Sequence, residues 1–137
     1  MNETQVVRDF YAALNGNDIA AAVRDCVAEF EWVEPAEYPG AGTYRGLENV
    51  TAHFQWARGR WAEGSCELER LIVAGDRVVA LVAVRVRLKD EAEWRVGDIG
   101  DVFTFRDGKL IHGRTFGTRQ EALEWAGVGA VSPEAAR

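Results

Sequence analysis

The chain has 137 residues, 47% of them hydrophobic, and carries a formal net charge of -6 at pH 7. This length suits one domain with its own core and leaves no room for a second. The acidic balance disfavours nucleic acids and anionic membranes as partners, because both bind proteins through clustered Lys and Arg. Aromatic residues make up 10% of the chain, so their rings have to be enclosed in a thick core or around a lined pocket.

The first nine residues mix charges of both signs and lack the basic stretch and apolar run of a secretory signal, which predicts a cytoplasmic protein. The longest apolar run, residues 78–84, is too short to cross a bilayer as a helix. Cys26 and Cys66 show no CxxC or Cys/His spacing. We therefore expect two buried free thiols, with neither a disulfide framework nor a zinc site.

Two helices are predicted at the start of the chain. Apolar residues at helical spacing predict the first helix over residues 4–14, and Asn15-Gly16 is a typical stop signal. Asp18 is the expected N-cap of a second helix, whose apolar face continues as far as Cys26. The two helices should form a tight hairpin.

A short strand and a third helix follow. Residues 30–33 favour a strand, which Pro35 ends because it lacks a backbone donor, and a Pro- and Gly-rich loop comes next. The third helix is predicted over residues 46–61. His53 and Trp56 are expected to lie off its apolar face, and His53 has no second metal ligand at a useful spacing. That face consists of Leu47, Val50, Phe54, Ala57 and Trp61.

The rest of the chain has the alternation of β-structure. Four strands separated by short turns are predicted over residues 66–74, 77–88, 94–105 and 110–116. Thr118 is the expected N-cap of a short last helix. We predict one domain over residues 1–127 and a flexible tail over residues 128–137.

This order of elements predicts an α+β fold. One face of the long sheet has to be covered, and only the three N-terminal helices can cover it. We therefore expect a cone, in which a strongly curved antiparallel sheet wraps around three helices in the manner of a cystatin-like roll. Such a sheet leaves a hollow interior, where a ligand or a substrate would bind.

A carboxylate interrupts an apolar row in the strand over residues 94–105. The alternation places Asp101 on the same face as Ile99, Phe103 and Phe105. Burial disfavours the charged form of a carboxyl group, so Asp101 is expected to have a raised pKa and to donate a hydrogen bond when protonated. The alternative is an ion pair with Arg95 or Arg114.

Glu34 belongs to the same alternation set as Phe30 and Trp32. If those rings point inward, Glu34 lies at the rim of the pocket, where a partly desolvated carboxylate is placed to act as a general base. The alternative is an exposed glutamate beside Glu37. Sequence alone leaves both open.

Two more polar residues alternate with apolar ones in the last strand. Leu110, His112, Arg114 and Phe116 share one face, so His112 and Arg114 are candidates for the pocket wall. The alternatives are a packed or surface histidine and an ion-paired arginine. The residues expected around a bound ligand are Phe10, Leu14, Trp32, Phe54, Phe103, His112, Arg114 and Phe116.

The chain resembles the SnoaL-like and ketosteroid isomerase-like branch of the nuclear transport factor 2-like superfamily. The resemblance covers nearly the whole chain. It rests on the segments FYAALNGND (10–18), EWVEP (31–35), GTYRG (42–46), DVFTFRDGKL (101–110) and RTFGTRQEALEWAG (114–127).

The resemblance implies roles for two carboxyl groups. Glu34 falls where ketosteroid isomerases carry a general base before a proline, and Asp101 falls on their protonated, hydrogen-bond-donating aspartate. The tyrosine that completes that site aligns with Phe10, and Tyr11 beside it is expected to point along a different helical direction. The resemblance also implies no cofactor, a hydrophobic small-molecule ligand and a homodimer formed through the outer sheet face.

Two functions follow as expectations. The first is a cofactor-independent acid/base enzyme, an isomerase or a cyclase, in which Glu34 removes a proton next to a carbonyl and Asp101 stabilises the enolate. The second is a non-catalytic small-molecule-binding or dimerisation module of the same fold. An open cavity with unpaired carboxylates favours the enzyme, whereas ion-paired carboxylates or a filled cavity favour the module.

Overall fold

Four helices and six strands make up residues 2–128, the part of the chain that this computed structural model describes. In chain order they are α1 (Glu3–Asn15), α2 (Ile19–Ala22), β1 (Cys26–Glu34), β2 (Gly42–Arg45), α3 (Leu47–Gly59), β3 (Trp61–Ala74), β4 (Arg77–Leu88), β5 (Trp94–Arg106), β6 (Lys109–Phe116) and α4 (Arg119–Trp125). The tail predicted over residues 128–137 lies outside the described residues, apart from Val128.

Side-chain caps fix where three of the helices begin. Asn2 accepts a hydrogen bond from the backbone N–H of Thr4 at 2.8 Å and starts α1. Asp18 and Thr118 cap α2 and α4, as predicted, by accepting hydrogen bonds from backbone N–H groups within the first turn. None of the described helices has the length and apolar character needed to span a membrane.

Helix α2 is shorter than the apolar pattern predicted. It ends at Ala22, and strand β1 begins at Cys26 instead of at residue 30. The backbone N–H of Leu110 donates to the carbonyl of Asp25 at 2.9 Å, and Cys26 pairs with Leu110 in the sheet. Pairing with β6 therefore satisfies backbone groups that a longer helix would have used.

The six strands form one curved sheet in the order β2-β1-β6-β5-β4-β3, which confirms the predicted α+β fold class. The sheet is mixed and not wholly antiparallel as predicted, because β1 and β6 run parallel while the other neighbours are antiparallel. Strand β2 was predicted as loop. It is only four residues long and pairs with the end of β1, where Glu34 lies opposite Gly42.

The two faces of the sheet carry separate hydrophobic clusters. The concave face packs against α1, α2 and α3 and holds most of the core, including Phe30, Trp32, Phe103 and Phe105. The convex face packs a smaller cluster against α4. Covering of one face by the N-terminal helices, as the sequence predicted, leaves the cavity on that side.

The pairing of β5 with β6 shifts once, and the shift changes which side chains face the cavity. Thr104 pairs with His112, whereas Phe105 pairs with Leu110, so Ile111 is an extra residue without a partner in β5. A bulge of this kind reverses the in-and-out alternation of the strand that carries it. The even-numbered residues of β6 beyond the bulge therefore face α4.

Helix α1 is fastened to the edge strand β3 at its C-terminal end. The Asn15 side chain accepts from the backbone N–H of Cys66 and donates to its carbonyl, both at 2.9 Å, as a neighbouring strand would. Arg58 of α3 donates to the carbonyls of Leu14 and Asn15 at 2.8 and 2.9 Å. These bonds fix α1 over the sheet and so set the position of its inward side chains.

Candidate functional site

A cavity of about 410 Å³ lies between α1, α3 and the concave face of the sheet. Most of its wall is apolar, and it includes Phe10, Leu14, Trp32, Phe54, Trp61 and Val84. The structure thus brings four of the predicted lining residues, Phe10, Leu14, Trp32 and Phe54, to one cavity. Glu34 and Asp101 reach the same space.

Polar side chains that are fully buried are confined to this site in residues 2–128. They are His53, Asp101 and Thr115, with exposed fractions of 4–5%, and all three contribute to the cavity wall. Burying a polar group costs free energy unless it is hydrogen-bonded. Each of the three is hydrogen-bonded within the site.

Both oxygens of the Asp101 carboxyl group accept hydrogen bonds from hydroxyl groups. Tyr11 of α1 donates to Oδ2, and Thr115 of β6 donates to Oδ1 at 2.7 Å. Burial raises the pKa of Asp101 to about 6, although the two hydrogen bonds oppose the rise, and the charge of Glu34 adds to it. Neither Arg95 nor Arg114, the ion-pair partners considered from the sequence, contacts Asp101: Arg95 pairs with Glu91.

Tyr11, and not Phe10, brings a polar group to Asp101. Consecutive helical residues point about 100° apart, and α1 lies deep enough in the cone that both side chains are buried, each with 3% exposure. Phe10 packs among aromatic rings, with its centroid 5.9 Å from that of Trp32. The expectation that Tyr11 points elsewhere is wrong, and the site has a tyrosine–aspartate pair.

Glu34 is held by two donors that meet on one of its oxygens. Trp32 Nε1 donates to Oε2 at 2.7 Å, and His53 Nε2 lies 3.2 Å from the same atom. Among the described residues, Oε1 has no hydrogen-bond partner. The Glu34 side chain is 16% exposed, so it stands at the rim of the cavity with one oxygen available to a ligand.

His53 was not expected in the site, yet it lies on the inward face of α3 beside Phe54. Its ring stacks on that of Tyr44, with centroids 3.8 Å apart. A signal was present in the sequence: positions 50, 53, 54 and 57 follow the i, i+3, i+4, i+7 pattern of a single helical face. Trp56 lies farther out, 48% exposed, and contributes to the cavity mouth.

The bulge at Ile111 explains which residues of β6 the sequence misassigned. Thr115, not the even-numbered residues, pairs with Asp101 and faces the cavity. His112, Arg114 and Phe116 were expected around the ligand but lie on the opposite face. The His112 ring stacks on Trp125 of α4 at 6.0 Å, and the Phe116 ring lies 5.5 Å from the same indole.

Phe103 was predicted as a lining residue and lies just behind the cavity wall. It is fully buried, and its ring centroid is 5.2 Å from that of Phe10 and 5.9 Å from that of Tyr11. Edge-to-face pairs of this kind favour fixed ring positions. Phe103 therefore supports the lining residues instead of forming the surface that a ligand would meet.

Several solved structures are similar to this chain over most of its length. A nuclear transport factor 2-like protein from Burkholderia thailandensis is 27% identical, with a TM-score of 0.78, covering 92% of this chain and 97% of its own. TerC co-crystallised with polyporic acid is 20% identical, with a TM-score of 0.74 and coverage of 91% and 98%. A protein with a ketosteroid isomerase-like fold from Catenulispora acidiphila, in complex with trimethylamine, is 16% identical, with a TM-score of 0.74 and coverage of 93% and 96%.

No curated protein matches the chain significantly. The sequence profile of the SnoaL-like domain matches residues 7–113. This range holds α1 with Tyr11, β1 with Glu34, α3 with His53 and β5 with Asp101. The chain therefore belongs to the SnoaL-like domain family of the nuclear transport factor 2-like superfamily.

Proposed function

We propose that this protein is a cofactor-independent acid/base enzyme, an isomerase or a cyclase, acting on a hydrophobic carbonyl compound. One observation carries the proposal: Glu34, whose Oε1 has no partner within residues 2–128, and the buried carboxyl group of Asp101 line one apolar cavity. Two carboxyl groups in different surroundings can divide the roles of base and acid. An apolar cavity also strengthens electrostatic interactions with a developing charge.

Glu34 is the proposed general base. Its Oε2 is fixed by Trp32 and His53, which restricts rotation of the carboxylate. Oε1 would take the proton from the carbon next to the carbonyl, and the electron pair left behind would move to the carbonyl oxygen as an enolate. Fixing the base before the substrate binds lowers the entropy cost of reaching the reactive geometry.

Asp101 is the proposed acid partner. With a pKa of about 6, roughly one tenth of the molecules carry a protonated Asp101 at pH 7. In that form the carboxyl group can donate a hydrogen bond to the oxygen that gains negative charge. Tyr11 and Thr115 hold the carboxyl group in place in either form.

The cavity also supports a second candidate, a binding module without catalysis. The observation that favours it is the His53–Glu34 contact at 3.2 Å, which becomes an ion pair if His53 is protonated. The co-crystal of TerC with polyporic acid is a precedent, at 20% identity, for a small molecule bound to this fold. Binding alone would need the cavity but not the free oxygen of Glu34.

Hydrogen–deuterium exchange separates the two candidates without knowledge of the natural substrate. A panel of hydrophobic ketones is incubated with the protein in D2O, and loss of the protons next to the carbonyl is followed by NMR. An enzyme of the proposed kind accelerates exchange, and Glu34→Gln abolishes the acceleration. Binding without accelerated exchange for every ketone would support the binding module instead.

Glu31→Gln is the matched control. Glu31 is on the same strand but contacts Arg45 and His112, outside the cavity. The substitution removes the same kind of carboxylate three residues away from Glu34. Equal loss of exchange in the two variants would mean that the effect of Glu34→Gln reflects strand β1 as a whole and not the base.

A further inference from the structure

The inward hydrogen-bond donors around the two carboxyl groups are already engaged. The Tyr11 and Thr115 hydroxyls donate to Asp101, and Trp32 Nε1 and His53 Nε2 meet Glu34. A ligand carbonyl placed between the carboxyl groups would therefore find no free donor among these four. With a pKa of about 6, Asp101 is ionised in about nine tenths of the molecules at pH 7, and in that form it accepts hydrogen bonds and cannot donate one.

The arginines of the cavity wall do not fill this role. Arg58 is bound to backbone carbonyls, and Arg95 is paired with Glu91. Arg60 follows His53 by seven residues along α3 and its continuation, about 10 Å of helix, and its guanidinium lies over the exposed ring of Trp56. Two of the three guanidinium groups are thus engaged by other groups, and the third packs on an aromatic ring.

Tyr38 carries the remaining hydroxyl group of the cavity wall, after those of Tyr11 and Thr115. It is half-buried on the loop between β1 and β2 and lines the cavity, and its hydroxyl bonds to no described residue. Its backbone is held by two turn bonds, from its own N–H to the Pro35 carbonyl at 3.1 Å and from the Ala41 N–H to its carbonyl at 3.0 Å. The Tyr44 hydroxyl fixes the far end of the loop by donating to the Gly40 carbonyl at 2.9 Å.

Burial and nearby negative charges keep the Tyr38 phenol protonated. Burial raises the pKa of Tyr38 to about 12, and the carboxylates of Asp101, Glu34 and Glu37 add to the rise. The phenol shares the cavity wall with both carboxyl groups of the site. The Tyr38 hydroxyl thus keeps its proton throughout the neutral and mildly alkaline range, where most Asp101 carboxyl groups have lost theirs.

We propose that the Tyr38 hydroxyl donates the hydrogen bond that binds the carbonyl oxygen of the ligand. This inference rests on the proposed function for the identity of the bound group. In the reaction Glu34 takes the proton from carbon, the electron pair moves to oxygen, and the resulting enolate oxygen accepts the Tyr38 hydrogen bond without a further proton transfer. Tyr38 would then orient the carbonyl so that the neighbouring carbon faces Glu34.

A matched pair of probes tests this contact. 2-Acetylnaphthalene carries a carbonyl that only accepts hydrogen bonds, and 2-isopropenylnaphthalene has nearly the same shape, with a CH2 group in place of the carbonyl oxygen. Affinities are measured by calorimetry at pH 8, where Asp101 is ionised. We expect Tyr38→Phe to weaken binding of the ketone about tenfold, the loss of a typical hydrogen bond, and to leave binding of the hydrocarbon unchanged.

Infrared spectroscopy gives a second readout that a packing role would not change. The C=O stretch of bound 2-acetylnaphthalene should lie at lower frequency in the wild type than in Tyr38→Phe, because the hydrogen bond polarises the carbonyl. Tyr44→Phe, which removes a hydroxyl from the anchor of the same loop, should leave the stretch at its wild-type frequency. A Tyr44→Phe shift as large as that of Tyr38→Phe would contradict a direct contact.

Two further outcomes would overturn the inference: equal losses for ketone and hydrocarbon in Tyr38→Phe, or a ketone-specific loss in Tyr11→Phe and none in Tyr38→Phe. The methyl protons of the same ketone report on the proposed function separately. If the wild type accelerates exchange neither of these protons nor of those of any other ketone in the panel while the Tyr38 contact is present, the acid/base function is wrong and the inferred contact stands.

Discussion

The hydroxyl of Tyr11 donates to Oδ2 of Asp101, joining the first helix to the fifth strand across 90 positions of sequence. Both groups are buried, and the environment raises both of their pKa values, that of Tyr11 chiefly through burial and the nearby Asp101. Asp101 is thus a titratable group in the core of the protein. The direction in which its protonation changes the free energy of unfolding can be predicted.

Stability should fall as the pH rises through the pKa of Asp101. Because burial raises that pKa from 3.8 to about 6, the folded chain holds the proton more tightly than the unfolded chain. The associated stabilisation is complete below about pH 4 and lost above about pH 6. A difference of this size corresponds to about 3 kcal/mol in the free energy of unfolding.

Asp101→Asn should remove this dependence, since an amide stays neutral at every pH. We expect its Tm relative to wild type to be higher at pH 8 than at pH 5, measured by differential scanning calorimetry. Asp98→Asn is the control, because that side chain is 72% exposed. A Tm difference between Asp101→Asn and wild type that is the same at both pH values would show that Asp101 does not titrate in this range.

Asn15→Ala should destabilise the fold by about 1–3 kcal/mol, because it leaves the backbone N–H and carbonyl of Cys66 without partners. Chemical denaturation measures the change. Asn49→Ala serves as the control: Asn49 makes one exposed hydrogen bond to the Arg45 carbonyl and should cost much less. Equal costs would mean that the strand edge at Cys66 is satisfied by water when Asn15 is absent.

The sequence predicted those parts of the fold whose signals are local. The caps at Asp18 and Thr118 and the last three strands were predicted because each depends on residues within a few positions. Strand β3 begins at Trp61, five residues before its predicted start and inside the predicted third helix. The end of α2 was not predicted, because pairing of Cys26 with distant Leu110 decides it. Strand β2 was missed for the same reason: its four residues are a strand only beside β1.

The sequence analysis placed both carboxyl groups at the cavity but missed most of the side chains that hydrogen-bond to them. Glu34 and Asp101 stood out as charges within apolar rows. Thr115 did not, because a single extra residue at Ile111 reverses the alternation and no local pattern marks it. The contact of Tyr11 with Asp101 was missed because it depends on how deeply α1 packs into the cone, and sequence spacing does not give that depth.

Gly113→Ala should displace the Trp32 ring and, through it, the Glu34 carboxylate. A β-carbon at Gly113 would lie 2.4 Å from two ring atoms of Trp32, and Trp32 holds Glu34. We expect the free energy of unfolding to fall by about 1–3 kcal/mol, a cost typical of overpacking. Chemical denaturation followed by tryptophan fluorescence measures this change. Gly97→Ala is the matched control, since a β-carbon there meets nothing within 4 Å; an equal loss in both would refute a clash with Trp32.

The outer face of the sheet is where we expect two chains to associate. Strand alternation places Val96 on the face opposite to Ile99 and Asp101, and its side chain is 73% exposed. The Arg85 guanidinium covers the nearby Trp94 ring at 3.9 Å, so an apolar side chain lies beside a cation–aromatic pair. Burying Val96 between two copies would remove apolar surface from water.

Light scattering at micromolar concentration should therefore show a dimer for the wild type. Val96→Glu should be a monomer, because the new carboxylates of the two chains would repel each other across the interface. Val73→Glu, which changes another exposed valine (59%) on the edge strand β3, should stay dimeric. A monomeric wild type, or loss of the dimer in both variants, would contradict association through this face.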